Sequence, residues 1–235
     1  MRSFVRPLIY RFLVASLILL AAAPAQAADG PYLDLTEIVS LKSVRQAEMS
    51  PNGDAIAYVL AVPRALYEDD DGSSYSQLHV VDLEGNSRAY FSGEVNVSNV
   101  AWSVDGNDIY FLGKRDLKAD FSDIFKISLH GGEAEVVYKA ESGIKSISPS
   151  PDGRTIAFLA KDPKPKDDKA VTEKGFKAHV YEESEKPVRV WLLDLESGNA
   201  EAQDLNGSAS ALDWAPYSKH YAVALAPTPL IDDEY

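Results

Sequence analysis

The sequence predicts an all-β protein, a partial β-propeller of about three and a half four-stranded antiparallel blades. Three observations carry that prediction. A turn-and-strand unit recurs along the chain, a second hairpin follows each of its first three copies, and no segment after the first 27 residues shows helical periodicity of useful length.

The copies align at residues 49–58 (MSPNGDAIAY), 102–111 (WSVDGNDIYF) and 149–158 (PSPDGRTIAF), with a degenerate fourth at 214–223 (WAPYSKHYAV). Gly53, Gly106 and Gly153 are 53 and 47 residues apart, and Ser218 takes the fourth place after a gap of 65. The unit is a tight reversal. Serine bonds the backbone ahead of it, proline sets φ at the second position, Asp or Asn tolerates the third, and glycine takes the positive φ that ends the turn. An apolar, β-rich run follows each time, at residues 56–59, 109–112, 156–159 and 221–225. These runs are continuous rather than alternating, which predicts strands buried on both faces.

The second hairpins turn at Glu84-Gly85-Asn86, at His130-Gly131-Gly132 and at Glu196-Ser197-Gly198-Asn199, each between β-rich runs. The resulting blades span roughly residues 44–95, 96–141 and 142–207, and a fourth occupies 208–235. Residues 28–43 form a lead-in. An ordinary β-sandwich would not require three matching copies, each with its own hairpin. Three and a half blades do not close a ring, so the chain is expected to be the N-terminal piece of a longer protein. The third blade carries an insertion, residues 161–178, with six lysines, four acids and two prolines. It reads either as a solvated loop or as a recognition loop.

Composition narrows the function. The chain of 235 residues has 46% hydrophobic and 10% aromatic content, and it is globular rather than disordered. A formal net charge of -13 repels phosphate and argues against nucleic acid as a partner. The absence of cysteine excludes disulfides, cysteine-ligated metal clusters and thiol catalysis. No cofactor is expected.

Residues 1–27 read as a secretory signal peptide. Arg2, Arg6 and Arg11 are followed by an apolar run at residues 12–23 and the small-x-small site Ala25-Gln26-Ala27. Cleavage is expected between Ala27 and Ala28, and the run is short of the ~20 residues a spanning helix needs. The mature chain is therefore expected in a periplasm or the medium, without a stable membrane span.

The unit Ser-Pro-Asp-Gly-x-x-Ile-Ala-Phe of the third copy resembles the TolB-like propeller repeat. The same repeat builds the N-terminal propeller of the prolyl oligopeptidase family of serine peptidases, which includes acylaminoacyl-peptidases and dipeptidyl-peptidases. The run from Lys177 through His179, Val180, Tyr181, Glu182 and Glu183 to the strand Arg189-Val190-Trp191 looks like a segment of exported bacterial members. Pro229 to Tyr235 is similar to a loop in the same relatives. The resemblance implies a propeller that gates a C-terminal α/β-hydrolase domain bearing a Ser–Asp–His triad, with a peptide as substrate. It also implies a role for Glu182 and Glu183 in holding a substrate's free amino terminus, since two carboxylates bind an ammonium by charge-assisted hydrogen bonds. The bland reading of that pair is an exposed acidic loop. The alternative function is a TolB-like propeller that binds a protein partner, with open blade edges as the contact, and catalyses nothing. A third reading is a truncated product whose unpaired edges leave it unstable.

The catalytic parts themselves are missing from the sequence. No Gly-x-Ser-x-Gly elbow occurs, so no catalytic residue is assigned and the chain alone is expected to be inactive. The four histidines, His79, His130, His179 and His220, show no metal-ligand spacing. The acidic run from Glu68 to Asp71 before Gly72 fails as an EF-hand, because Tyr67 and Leu78 fall where carboxylates are required. It is a solvated loop or a loose cation-attracting one. Trp102, Trp191 and Trp214 are expected in blade cores.

Overall fold

The computed structural model describes residues 34–163, 174–175 and 185–230. The chain divides into two compact units, Met1–Ile38 and Val39–Tyr235. The expected leader and its cleavage site, Ala27 and Ala28, lie outside the described residues. A short helix, α1 (Leu35–Val39), opens on a capping box. Glu37 N–H donates to Asp34 Oδ1 at 2.7 Å, and Asp34 N–H to Glu37 Oε2 at 3.0 Å.

The second unit holds the repeats. Its strands are β1 (Ser43–Met49), β2 (Ala55–Val62), β3 (Tyr75–Asp82), β4 (Ser87–Phe91), β5 (Asn96–Trp102), β6 (Asp108–Lys114), β7 (Asp123–Ser128), β8 (Glu135–Tyr138), β9 (Ile144–Pro149), β10 (Thr155–Lys161), β11 (Val188–Asp194), β12 (Ala200–Ala202), β13 (Ser208–Trp214) and β14 (Tyr221–Ala226). They pair antiparallel in sequence order as β1–β4, β5–β8, β9–β12 and the hairpin β13–β14. One parallel bridge, Ser76 with Asn96, links the first two blades. The first strands are the inner ones, because β1 touches β5, β5 touches β9 and β9 touches β13.

The turn chemistry is as the repeat predicts. Gly53, Gly106 and Gly153 have φ of 73°, 72° and 71°, and each N–H donates to the carbonyl of the serine three residues back. The serine hydroxyls close the turn from inside. Ser50, Ser103 and Ser150 are all buried, and their Oγ atoms accept from the N–H of Ala55, Asp108 and Thr155 at 2.9 to 3.1 Å. Each hydroxyl donates in turn to a carboxylate, Asp54, Asp105 or Asp152. The fourth turn keeps the backbone bond from Ser218 to Ala215 with φ of 56° at Ser218, but Ala215 supplies no hydroxyl.

Alternation of side chains gives each blade two faces. Ala57 and Val59 of blade 1 pack with Ile109, Phe111 and Phe125 of blade 2. Tyr110 and Leu112 of blade 2 pack with Ile156, Phe158 and Leu193 of blade 3. Leu159 and Val190 of blade 3 pack with Ala209, Tyr221 and Val223 of the hairpin. Each blade thus turns one apolar face forward, to its successor, and the other backward.

Continuous burial is found only where both faces are covered. In β6 and β10 the five central residues are all buried. In β2 burial alternates, and β14 carries no buried residue. The apolar runs are alike in sequence; the difference is tertiary, because blade 1 has no neighbour behind it and the hairpin none ahead among the described residues.

Sequence reading did not find the bulges. All four inner pairs shift register within two residues of the same place, at Val44/Gln46, Ser98/Ala101, Ile144/Ser146 and Ala209/Ala211. A repeated bulge re-aims the inner strand and tightens its twist. It also puts side chains across the blade junctions. The Gln46 amide donates to Val100 O and accepts from Val100 N–H, both at 3.1 Å, and Asn99 Nδ2 donates to Lys145 O at 3.2 Å.

Candidate functional site

In this topology the turns β1–β2 and β3–β4 lie at one end of a blade, and the β2–β3 type of connection lies at the other. The connections at that second end are the longer ones, at residues 63–74, 115–122 and 162–187. Loops of this length on a rigid sheet are where recognition is usually placed.

Each loop is rooted on a cation at or just after the end of the second strand. Arg64 Nε donates to Ser73 O at 3.0 Å, and its Nη1 to Asp70 O at 3.1 Å and to Tyr75 Oη at 3.2 Å. Its guanidinium lies 4.6 Å from the Tyr75 ring centroid. Lys114 Nζ donates to Ala119 O at 2.8 Å and to Asp120 O at 3.2 Å. Lys161 pairs with Glu185, Arg189 Nε lies 3.1 Å from Asp162 Oδ2, and Lys186 Nζ donates to Pro163 O at 3.4 Å. These last three contacts clamp the two ends of the blade 3 insertion together. The signal was present in the sequence: a basic residue stands within two positions of the end of the second strand in each of the three full blades.

The acidic run at residues 68–71 is therefore organised by an internal cation. Asp70 and Ser73 turn backbone carbonyls onto Arg64, and Asp69 Oδ2 accepts from Ala65 N–H at 2.8 Å. The tip, Leu66 and Tyr67, is exposed, and Tyr67 has φ of 67°. Among the described residues no group of three His, Asp or Glu side chains could hold a metal ion.

Glu182 and Glu183, the pair singled out for substrate binding, lie outside the described residues. So does His179. The chain emerges from that segment at Glu185, at the clamp just described. The remaining histidines are apart from one another. His79 stacks on Tyr58 in blade 1, His130 Nε2 lies 3.3 Å from Asn107 Oδ1 in a turn of blade 2, and His220 is exposed in the hairpin turn. The turn serines have carboxylate partners but no imidazole, and their hydroxyls are committed to the backbone.

Carboxylates in the turns at the opposite end are held ionised. Asp105 is pulled down to about 2, first by the Ser103 hydroxyl and then by the backbone and side-chain N–H groups of Asn107. Asp82 is lowered chiefly by Asn86, Asp152 by Ser150, and Asp194 by Ser197.

Trp102 is buried in a blade core, Trp191 packs partly buried against one, and Trp214 is partly buried edge-on to Tyr221; all three also make hydrogen bonds. Trp102 Nε1 donates to Glu48 O at 2.9 Å, and Trp214 Nε1 to Ser148 O at 2.9 Å. Trp191 Nε1 donates within its own blade, to Ala160 O at 3.2 Å. Among the described residues no helix is long and apolar enough to cross a membrane.

Comparison with known proteins places this architecture. No family model matches the sequence. An uncharacterized peptidase, YuxL of Bacillus subtilis (strain 168), is 26% identical over 121 residues, which cover 51% of this chain and 18% of that protein. An acylaminoacyl peptidase of Pyrococcus horikoshii superposes with a TM-score of 0.57 at 15% identity, over 81% of this chain and 29% of its own. A puromycin hydrolase superposes with a TM-score of 0.53 at 14% identity, over 78% of this chain and 25% of its own. The chain thus spans 18% to 29% of the length of these proteins, and it shares the propeller fold of such peptidases.

Proposed function

We propose that this chain is the N-terminal part of the propeller of an exported serine peptidase of the prolyl oligopeptidase kind, and that it limits the access of peptides to an α/β-hydrolase domain carried elsewhere in the whole protein. The observation that carries this reading is the 26% identity to a protein named as a peptidase. The fold likeness to peptidase propellers supports it. So does the rooting of each long loop on a cation, because a gate works by steric exclusion and its loops have to hold their shape. The leader ending at Ala27 is the basis for export.

Within this reading Glu182 and Glu183 take the substrate's free ammonium. The cations at the root of the insertion, Lys161 and Arg189, are paired with Glu185 and Asp162.

The test is labelling of the native gene product, in its own cells, with a fluorophosphonate, followed by measurement of the intact mass of the labelled species. A labelled protein several times the 25.6 kDa of this chain is the expected result. Purified alone, the 235-residue chain is expected neither to label nor to hydrolyse peptides. Turnover by the chain alone, abolished by a serine-directed inhibitor, would contradict this placement of the chemistry. A native product that never labels would point instead to a protein-binding propeller. In the labelled enzyme, Glu182→Gln and Glu183→Gln are expected to raise KM for peptides with a free amino terminus and to leave blocked peptides unaffected. Equal kinetics on both would remove the pair from the site.

A further inference from the structure

The chain contains two Asn-Gly pairs, Asn52-Gly53 and Asn206-Gly207. In such a pair the side-chain carboxamide lies within reach of the next backbone nitrogen, and glycine has no Cβ to obstruct their approach. Both asparagines are exposed. What separates the pairs is the state of the glycine nitrogen.

Gly53 closes the first repeat turn, and its N–H donates to Ser50 O at 2.9 Å. That nitrogen is committed to the fold. Asn52 also abuts the turn of blade 2, its Nδ2 lying 3.1 Å from where a Cβ on Gly106 would sit. Gly207 stands immediately before β13, as Val95 stands before β5. Val95 N–H donates to Gly93 O at 3.0 Å, whereas Gly207 N–H finds no acceptor among the described residues. Asn86 precedes another small residue, Ser87, but its Nδ2 is held by Asp82 Oδ2 at 3.0 Å.

We propose that Asn206 is a site of spontaneous deamidation, and that the conversion loosens the junction between blade 3 and the hairpin. The Gly207 nitrogen attacks Asn206 Cγ. A bond forms between them, the Cγ–Nδ2 bond breaks, and Nδ2 leaves as ammonia with the proton that Gly207 N–H gives up. Water then opens the five-membered imide at one carbonyl or the other. One product is aspartate. The other is isoaspartate, in which the main chain runs through the former side chain and is one methylene longer. Either product carries a carboxylate where the amide was neutral.

The longer main chain has no room at this place. Gly207 is seated so closely against β14 that a Cβ on it would run into Ala226 O. The next residue, Ser208, is buried, and its Oγ accepts from Val188 N–H at 3.1 Å, which ties β11 to β13. An inserted methylene displaces this segment, so the isoaspartyl form is expected to lose the Val188–Ser208 bond. The reaction requires no partner chain and no hydrolase domain.

The native gene product, aged at mildly alkaline pH and then digested, reads the conversion by mass. The peptide holding Asn206 is expected to gain the difference between a hydroxyl and an amino group. It is also expected to accept a methyl group from S-adenosylmethionine through a protein-isoaspartate methyltransferase. Its conversion is expected to run about tenfold faster than that of the peptide holding Asn52, because Gly53 must first release a hydrogen bond. In urea, where no fold protects either pair, the two are expected to convert alike. Val188 N–H is expected to exchange with solvent faster in aged protein than in fresh protein. Asn206→Gln cannot form the five-membered imide, and its Val188 exchange is expected to stay unchanged on aging. Conversion of Asn52 as fast as that of Asn206 in the folded protein overturns the proposal. So does an Asn206 that stays intact when folded yet converts in urea. Unequal rates that persist in urea overturn the hydrogen bond as their cause, and equal acceleration of Val188 exchange in Asn206→Gln overturns the effect on the junction.

Discussion

Trp102 and Glu48 are 54 residues apart, yet the indole N–H of one donates to the backbone carbonyl of the other at 2.9 Å, across the junction of the first two blades. Trp214 and Ser148 repeat the bond 66 residues apart, between blade 3 and the hairpin. The donor in each case is the residue just before the turn. Between blades 2 and 3 that residue is Pro149, which offers no such donor, and the junction relies on its apolar core and on Asn99.

Trp102→Phe keeps the ring and removes the donor. A buried hydrogen bond broken on one side costs about 1–3 kcal/mol. Loss of stability in that range is expected on urea unfolding. Trp214 is less buried, so Trp214→Phe is expected to cost less. Equal stability of wild type and Trp102→Phe would show that the bond contributes nothing net.

Gly106 and Gly53 have nearly the same φ, but their surroundings differ. A Cβ on Gly106 would meet Asn52 Nδ2 of the preceding blade at 3.1 Å, whereas a Cβ on Gly53 meets nothing within 4 Å. Both alanine variants pay the left-handed penalty of about 1–2 kcal/mol. Gly106→Ala is expected to lose more, and the excess over Gly53→Ala measures how closely the turns of successive blades abut. Ser218 already occupies this conformation, and its Oγ accepts from Asp152 N–H at 2.8 Å. Ser218→Ala therefore removes a junction bond without relieving strain and is expected to destabilise, while Ser218→Gly offsets the same loss by relief.

The turn aspartates give the fold an acid limit. Asp82, Asp105, Asp152 and Asp194 each have a pKa lower in the folded chain than in the unfolded one, so each contributes stability that is complete above the unfolded value near 4 and is lost as pH falls through the folded value. For Asp105 that value is about 2. Stability is expected to decline between about pH 5 and pH 2, the interval set by these shifts. Ser103→Ala removes the first cause of the Asp105 shift. It is expected to raise the Asp105 carboxyl pKa, read by NMR titration. An unmoved titration would mean that Asn107 alone sets it.

Arg64 binds two carbonyls and a phenol through one planar group, a geometry an ammonium does not match. Arg64→Lys and Arg64→Ala are both expected to open the loop at residues 63–74 to limited proteolysis before the sheets lose their circular dichroism. Arg64→Ala is expected to be cut faster. Protection equal to wild type would assign the loop's order to the Asp69–Ala65 bond instead.

The turn chemistry, the strand order and the hairpins were all legible in the sequence, because they rest on local rules: Ser, Asp and Gly at fixed offsets, and β-rich runs between them. What escaped was tertiary. The shared inner bulge at Val44/Gln46 and its counterparts has no residue signature, since the residues it skips are basic in blades 1 and 3 (Arg45, Lys145), Asn99 and Val100 in blade 2, and Ser210 in the hairpin. The runs at residues 56–59 and 156–159 look equally buried, yet only the second is enclosed on both faces. The repeated position of Trp102 and Trp214 marked them as packing residues, but their carbonyl partners belong to other blades and are invisible along one strand. Of the candidate site, the residues around Glu182 and Glu183 were legible only by resemblance, whereas the cations at the loop roots followed from position and were overlooked.

The enclosure of β6 and β10 has a kinetic consequence. In a stack where each unit touches only its neighbours, the interior units are released last. The amide protons at the centres of these two strands then exchange with solvent only when the whole stack comes apart, while those of β1 and β14 exchange by fraying at the ends. The chain is expected to assemble from its middle outward, with the junction of blades 2 and 3 as the seed, although that junction is the one without a tryptophan bond.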